Sequence, residues 1–363
     1  MGLPLYDHYS YHVLWNKSMF DVIDQLNHWR QKDEDLAITT VVETWGSAPR
    51  PVGSKMVTTR AGGIAGSVSA GCVEGAVIEE SAEVISSRKP RLIEFGVADD
   101  TAWSVGLACG GRIKVFIEPG CALDSIYDKL NEDISQGIPF LTITYLDGPE
   151  DAINKKLLVE PGGGQIGDLE LPAGSEKIID QALEYLEHEK SGIIQEPGGK
   201  SLFVDVQPIP PKLIIIGAVH LAVPLVTIAN TIGFNTILVD PREAFSSRER
   251  FPDVDRLIQK WPDEAMNGIL LDKSAYIVVL THDPKLDDPA LMCALKSDAR
   301  YIGALGSQRT NQKRLKRLKA AGLSEDQLSR LHAPIGLDLG GRSPDEIAIS
   351  ILAEIVQIRN QNL

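Results

Sequence analysis

The sequence predicts an α/β fold with an N-terminal α/β domain and a C-terminal domain built on a parallel sheet. At roughly 150 residues per domain, a chain of 363 residues predicts at least two domains. A stiff proline-rich segment, Pro208–Pro211, marks a boundary, and predicted strands and helices alternate after it. We therefore predict a cysteine-loop domain over residues 1–120, its α/β extension over 121–207, and a Rossmann-like domain over 208–363.

Composition narrows the classes of function. Apolar residues make up 43% of the chain and charged residues 24%, which is typical of a globular protein rather than a disordered one. Thirty-six basic and 50 acidic residues give a net charge of −14, which argues against nucleic-acid binding because that needs a basic surface. Four cysteines without a C-x-x-C pair favour a reducing compartment. These features predict a cytoplasmic protein.

One apolar stretch has the length of a membrane span. Residues 213–239 carry no charged side chain, and a hydropathy window would mark them as membrane-spanning. Gly217, Pro224 and Gly233 interrupt the stretch at the places where a strand, a turn, a helix and a second strand would meet. We therefore predict no membrane insertion.

The N-terminal part is predicted to mix helices and strands. The β-branched segment Ala37–Glu43 favours a strand, and apolar residues at a 3.6-residue period over 73–87 favour a helix. Predicted helices begin near Ser18 and cover 73–87, 122–136 and 176–189; predicted strands cover 37–43, 55–59, 91–97, 112–119, 139–146 and 201–207. The glycines at 162–164 predict a hairpin turn, and no internal repeat of fixed period is visible.

The C-terminal part begins with a nucleotide-fold motif that lacks one glycine. The apolar strand Leu213–Ile216 runs into Gly217, which suits a tight turn, and Ala222 allows close packing of a helix on a strand. The middle position of G-x-G-x-x-G is Val219, whose branched side chain obstructs the approach of a pyrophosphate. The motif predicts the fold, whereas Val219 argues against bound NAD(P).

Two further residues of this domain are candidates for ligand contact. Asp240 follows the next predicted strand, 23 residues after Gly217, where an acid that binds ribose is expected. Arg242 lies two residues further on and suits a phosphate. The alternative for Asp240 is a capping or turn residue before Pro241.

Two cysteines lie on loops of small residues. Cys72 stands at the start of a predicted helix, where unpaired N–H groups and the helix dipole favour a thiolate. Cys109 is followed by Gly110 and Gly111, whose bare backbone N–H groups can hold an anion. Two thiolates suit a soft metal centre or a persulfide relay; zinc is disfavoured because no four-ligand pattern is present. The alternative is that both cysteines are small buried core residues.

These motifs resemble those of the XdhC/CoxI family, the maturation factors of molybdenum hydroxylases such as xanthine dehydrogenase. The resemblance runs in order from about residue 37 to 356, with a gap over 121–205. The matching segments are Val41–Met56, Gly66–Gly75, Gly106–Gly111, Thr281–Asp283, Tyr301–Ser307 and Pro334–Gly340.

The resemblance implies a chaperone for the molybdenum cofactor rather than a catalyst. Such proteins bind the cofactor while a terminal oxo ligand is exchanged for sulfido, with sulfur supplied by a cysteine desulfurase, and pass it to the client hydroxylase. They typically form homodimers. Under this interpretation Cys72 and Cys109 contact molybdenum or sulfur, and residues around them and in the Rossmann-like domain contact the molybdopterin or its dinucleotide form: Arg50, Gly71, Glu74, Gly110, Gly217, His220 and Asp240.

Two other functions stay open from the sequence. A nicotinamide-dependent oxidoreductase would bind NAD(P) at the turn that begins at Gly217. A scaffold without a ligand would bridge the client enzyme and the desulfurase. His220 matches the family's motif and is either a ligand contact or a packed turn residue.

Overall fold

The computed structural model describes residue 19 and residues 22–96, 111–149, 152–172 and 174–361, which form two compact units. The described residues up to Ile209 form the N-terminal unit, and those from Pro210 form the C-terminal unit. The predicted helix start at Ser18 lies outside the described residues.

The N-terminal unit consists of short helices and antiparallel strands. Its first half contains α1 (Ile23–Arg30), β1 (Leu36–Trp45), β2 (Lys55–Thr59), β3 (Ile64–Gly66), α2 (Glu74–Ser87), β4 (Arg91–Phe95) and β5 (Arg112–Pro119). Its second half contains α3 (Tyr127–Gln136), β6 (Phe140–Tyr145), β7 (Leu157–Val159), β8 (Gln165–Gly167), α4 (Glu176–Glu187), β9 (Gly192–Gln195) and β10 (Ser201–Gln207). The helix predicted over 122–136 begins only at Tyr127, because Gly120–Leu123 forms a separate 3-10 turn.

The two halves have the same topology. The first sheet has the order β3-β2-β1-β5-β4 and the second has the order β8-β7-β6-β10-β9. In each half one helix precedes the first strand and a second helix lies between the third and fourth strands. The unit is therefore a tandem duplication of one module. The sequence did not predict this duplication, because it shows no repeat of fixed period.

Individual residues occupy equivalent places in the two modules. Gly66 pairs with the residue after Lys55, and Gly167 pairs with the residue after Lys156. Both glycines have positive φ (+75° and +140°), and a Cβ on either would lie 2.3 or 2.1 Å from the carbonyl oxygen of that lysine. Only glycine fits such a close approach of two strands, so the same backbone constraint recurs in both modules.

Two buried ion pairs join the modules reciprocally. Lys55 of the first module binds Asp205 of the second at 2.7 Å, and Lys156 of the second binds Glu118 of the first at 2.8 Å. All four side chains are less than a tenth exposed. Two residues from each module also pack together in one buried apolar cluster, which consists of Val42, Phe116, Leu146 and Phe203. The modules thus share one core and fold as one body.

The C-terminal unit is built on a parallel sheet, as predicted. Its strands are β11 (Lys212–Ile216), β12 (Asn235–Val239), β13 (Arg256–Ile258), β14 (Ala275–Val279), β15 (Tyr301–Ala304) and β16 (Leu331–His332), in the order β13-β12-β11-β14-β15-β16. Its helices are α5 (Ala222–Thr231), α6 (Pro262–Met266), α7 (Pro284–Ala294), α8 (Gln308–Ala320), α9 (Glu325–Ser329) and α10 (Pro344–Gln361). The order reverses between β11 and β14, where doubly wound folds bind ligands.

The apolar stretch over 213–239 forms β11, α5 and β12. Across the described part of the chain, no helix combines the length and the hydropathy needed to cross a membrane.

Candidate functional site

The segments that carry the N-terminal motifs meet at one end of the first sheet. β1 ends at Trp45, which pairs with Arg112 at the start of β5. A Cβ on Gly111 would lie 2.9 to 3.0 Å from backbone atoms of Ser47 and Ala48, so the last residue of the second cysteine motif packs directly on the loop that leads to Arg50. Cys109 and Gly110 lie outside the described residues, so their predicted roles stay predictions.

A chain of hydrogen bonds links Arg50 to the Cys72 loop. Arg50 Nε donates to the Ser67 hydroxyl at 3.4 Å, and that hydroxyl donates to Glu74 Oε1 at 2.6 Å. The Ser67 oxygen also accepts the Ala70 N–H at 3.0 Å. Ser67 therefore connects the β1–β2 loop with the loop that begins after β3.

Glu74, the first residue of α2, turns its carboxylate back into the Cys72 loop. Oε1 accepts the Ser69 N–H at 2.9 Å, and Oε2 accepts the Gly71 N–H at 2.8 Å and the Ser69 hydroxyl. Ala70 and Gly71 have positive φ (+58° and +109°), and this left-handed backbone wraps the N–H groups around the carboxylate. The loop is thus ordered around a negative charge supplied by the protein.

The hydrogen bonds determine the protonation state of Glu74. Burial raises the pKa of this carboxyl, but the hydrogen bonds from Ser67 and Ser69 outweigh burial and hold the pKa at about 2. The carboxylate is therefore ionised throughout the physiological range.

This arrangement assigns the loop's N–H groups to Glu74 instead of to a cofactor phosphate. Arg50 is half-buried, and within the described part of the chain its terminal guanidinium nitrogens form no hydrogen bond. Burial lowers the pKa of Arg50, and the charge of Glu74 partly offsets this effect. Arg50 therefore presents a guanidinium group that can donate two parallel hydrogen bonds to one anion.

Cys72 is exposed, two residues before the start of α2. The alternative that it is a buried core residue is therefore wrong. Its neighbour Val73 is fully buried in a core cluster, so the loop that carries the exposed thiol is anchored to the core. Within the described ranges, no three His, Cys, Asp or Glu side chains are grouped so that they could hold a metal ion.

In the C-terminal unit, Gly217 occupies the tight turn after β11, as its position in the motif suggests. Its φ is +107°, and a Cβ there would lie 2.3 Å from Thr281 Cγ2, beside the point where the strand order reverses. Ala222 is fully buried, Val219 is half-buried and His220 is exposed.

Asp240 is fully buried and its two oxygens are occupied by the protein. Oδ2 accepts the Ala218 N–H at 2.7 Å and Arg242 Nη2 at 2.6 Å, and Oδ1 accepts the backbone N–H and Nε of Arg242, both at 2.9 Å. Burial raises the pKa of this carboxyl, but these hydrogen bonds lower it further than burial raises it. In a dinucleotide site the acid binds ribose and the turn binds pyrophosphate, whereas here the acid and the turn bind each other.

The sequence prediction missed the partners of both acids. Ser67 and Ser69 lie within the family-like segment Gly66–Gly75, but the sequence predicts no role for either of them, and it predicts a phosphate rather than Asp240 as the partner of Arg242. The spacing gives no standard signal, because Ser69 lies five residues before Glu74 whereas a helix-capping pair is separated by three.

Replacement of Glu74 by Gln should reduce stability in a pH-dependent way. The amide cannot accept all of the donors around the carboxylate, so we expect a loss of about 1–2 kcal/mol near neutral pH. Because the folded-state pKa is depressed, the parent's advantage is full above the usual value of 4.5 and is lost as the pH falls towards 2.

Thermal melting of the parent and Glu74→Gln at pH 7 and at pH 3 measures this difference. A gap between the two melting temperatures that is as wide at pH 3 as at pH 7 contradicts the assignment.

Known proteins similar to this chain are found for both of its units. The family model described as the XdhC and CoxI family matches residues 29–96, and that of the XdhC Rossmann domain matches residues 213–355. A relative from Bacillus subtilis (strain 168), described as a probable subunit of xanthine dehydrogenase, is 28% identical over 335 residues, which cover 91% of this chain and 95% of the relative.

Two further proteins are similar over most of their length. One, named "Molybdenum cofactor insertion chaperone PaoD", from Escherichia coli (strain K12), is 26% identical over 323 residues, which cover 89% of this chain and 83% of that protein. The other is a crystal structure described as a xanthine dehydrogenase from Bacillus halodurans, which is 26% identical and has a TM-score of 0.73 over 93% of this chain and 96% of that chain. With both family models matched in order and relatives aligned over nearly its whole length, this chain belongs to the XdhC and CoxI family.

Proposed function

We propose that this protein is a chaperone that binds the molybdenum cofactor and passes it to a molybdenum hydroxylase of the xanthine dehydrogenase type. The relative named as a molybdenum cofactor insertion chaperone, which aligns with 89% of this chain, supports this assignment. The observation that carries it is the joining of Arg50 to the Cys72 loop through Ser67, because an anion-binding group and an exposed thiol then belong to one hydrogen-bonded support.

The chemistry of the cargo fits these residues. Molybdopterin carries a phosphate, to which the guanidinium of Arg50 can donate two parallel hydrogen bonds. Molybdenum accepts soft sulfur ligands, and Cys72 offers an exposed one. Among the described residues, nothing lies within 4 Å of the place where a Cβ on Gly71 would stand, so this part of the chain leaves space beside the thiol. Cys109 and Gly110 are proposed to complete the site from the second cysteine loop.

The proposal extends to sulfuration. The chain would hold the cofactor while a cysteine desulfurase supplies the sulfido ligand, and it would act as a homodimer in the cytoplasm. Gly217, His220 and Asp240 would contact the nucleotide tail only if the cargo is the dinucleotide form. The exposed position of His220 favours such a contact more than the enclosed carboxylate of Asp240 does.

The oxidoreductase alternative receives less support. Half-buried Val219 stands at the middle position of the turn, and the described residues already fill the hydrogen-bonding positions of Asp240. A ribose therefore has no carboxylate oxygen to bind.

Replacement of Cys72 by Ala should lower the amount of bound molybdenum cofactor by about tenfold or more, because a metal–sulfur contact is lost. The protein is produced in a host that makes the cofactor, molybdenum is measured by mass spectrometry, and the pterin is measured by its fluorescence after oxidation. The oxidoreductase alternative predicts saturable binding of NAD(P)H instead, and the scaffold alternative predicts no bound cofactor in the parent.

Cys121→Ala is the matched control, since Cys121 is also an exposed free cysteine but lies on the 3-10 turn before α3. It should bind as much cofactor as the parent does. If Cys72→Ala and Cys109→Ala both retain the parent's molybdenum and pterin, the thiol assignment is wrong.

A further inference from the structure

The second module has a cleft at the place where the first module has the Cys72 loop. In the first module, residues 67–73 follow β3 and lead into α2; in the second, residues 168–175 follow β8 and lead into α4. Both helices begin with a glutamate, Glu74 and Glu176. The duplication therefore defines two equivalent positions on one framework.

The two loops differ in whether a carboxylate of the following helix fills them. Glu74 is turned back into its loop, whereas Glu176 is exposed and has no hydrogen bond or ion pair within the described part of the chain. Asp168 takes the place of Ser67, directly after the glycine of the third strand, and accepts the Lys156 N–H at 3.0 Å and the Ser125 hydroxyl at 2.8 Å. No carboxylate fills the second loop from within, as far as the described residues show, and a cleft of about 570 Å³ remains between that loop and α4.

The cleft has an apolar floor and an acidic rim. Leu157 and Leu169 form the floor and are 7% and 4% exposed, and the half-buried side chains of Leu171 and Ile179 form the walls. Three exposed carboxylates, Glu170, Glu176 and Asp180, lie at the rim. None of them forms an ion pair with any residue that the structure describes.

The apolar floor and the acidic rim together favour a ligand that is both apolar and positively charged. Three unpaired carboxylates repel an anion, so a phosphate-bearing cofactor does not fit here. Lysine and arginine side chains bury their aliphatic stems on apolar surface while their charged ends reach carboxylates, which matches the floor and the rim together. The volume lies within the range of ordinary binding clefts and accommodates several side chains.

We propose that the cleft of the second module docks a basic, apolar segment of a partner protein. The duplicated unit would then hold cargo through its first module and a protein partner through its second. The docking claim rests on the cleft alone and is independent of the proposed cargo.

Fluorescence anisotropy of the full chain with a labelled peptide tests the proposal. The probe is a 14-residue peptide of leucine and lysine, and the comparison peptide has glutamate in place of lysine. We expect saturable binding of the lysine peptide, and binding weaker by about tenfold or more for the glutamate peptide. Glu170→Gln/Glu176→Gln/Asp180→Asn and, separately, Ile179→Ser should each weaken binding of the lysine peptide by about tenfold.

The matched control removes three exposed carboxylates elsewhere, Glu79→Gln/Glu83→Gln/Glu249→Gln, and should bind the lysine peptide as the parent does. Equal weakening in both triple variants shows general attraction to an acidic protein and overturns the proposal. Failure of the lysine peptide to bind also overturns it. If sedimentation shows self-association that the cleft variants abolish, while no peptide binds, the occupant is a second copy of this chain and the proposal is wrong.

Discussion

A chain in which Pro-Gly-Gly replaces residues 96–112 should fold but should bind at least about tenfold less molybdenum cofactor. The physical basis is the duplication. Phe95 pairs with Ile113 in the first module, and Glu196 bonds to Lys200 at the corresponding place in the second. Seventeen residues join the first pair, whereas Pro197, Gly198 and Gly199 join the second. The second module therefore shows that three residues are enough to close this hairpin.

The long connection carries the second cysteine motif, so its removal deletes Cys109 and Gly110 while the ladder between β4 and β5 keeps its register. Circular dichroism and thermal melting establish whether the variant is folded, and molybdenum and pterin analysis measures the cargo. The control inserts 14 glycine and serine residues between Pro197 and Gly198, which lengthens the turn of the second module at a modest entropic cost. The control should keep the parent's cofactor. A folded deletion variant with the parent's cofactor content contradicts the assignment of this loop to the site.

Replacement of Lys55 by Met should destabilise the N-terminal unit by about 3–5 kcal/mol. Lys55 is buried, and its ammonium lies 2.7 Å from Asp205 Oδ2 and 3.0 Å from Thr40 Oγ1. Without the lysine, the carboxylate of Asp205 stays buried without a cation, in an interior that solvates a charge poorly. For a unit of this size, the loss lowers the melting temperature by on the order of 10 °C.

The double variant Lys55→Met/Asp205→Leu should regain most of this loss, because it removes both charges together. Lys156→Met leaves Glu118 without its cation and should lower the stability by a similar amount, since that ion pair is equivalent and equally buried. Urea unfolding and thermal melting of the variants measure these differences. A loss below about 1 kcal/mol for Lys55→Met is the value of an exposed pair and contradicts the buried, reciprocal arrangement.

Local sequence signals predicted many of the elements. The runs of branched apolar residues in β11 and β12 predicted buried parallel strands, because such strands are covered on both faces and have no polar side to expose. Gly217 predicted its turn because its positive φ is a requirement of the backbone that few other residues meet. Ala37–Glu43 likewise predicted the centre of β1 from its β-branched residues.

The duplication was not visible in the sequence because its two copies do not keep a fixed spacing. Between the paired residues Thr39 and Met56 the chain has 16 residues, and between the equivalent Ile143 and Leu157 it has 13. The connections between the fourth and fifth strands differ still more. Loops can change length at little cost while the ladders and the buried Lys–acid pairs are maintained, so the repeat survives in topology and not in period.

The sequence alone determined that Asp240 ends a strand before Pro241, and that Cys72 and Glu74 stand where a loop of small residues meets a helix. Only the tertiary structure decided what those acids bind. Glu74 meets Ser67, Ser69 and the Gly71 N–H, and Asp240 meets Arg242 and the Ala218 N–H, so both charges are satisfied within the protein. A carboxylate that loses water must take its donors from whatever lies nearest in space, and the positions of those donors are set by packing rather than by sequence spacing.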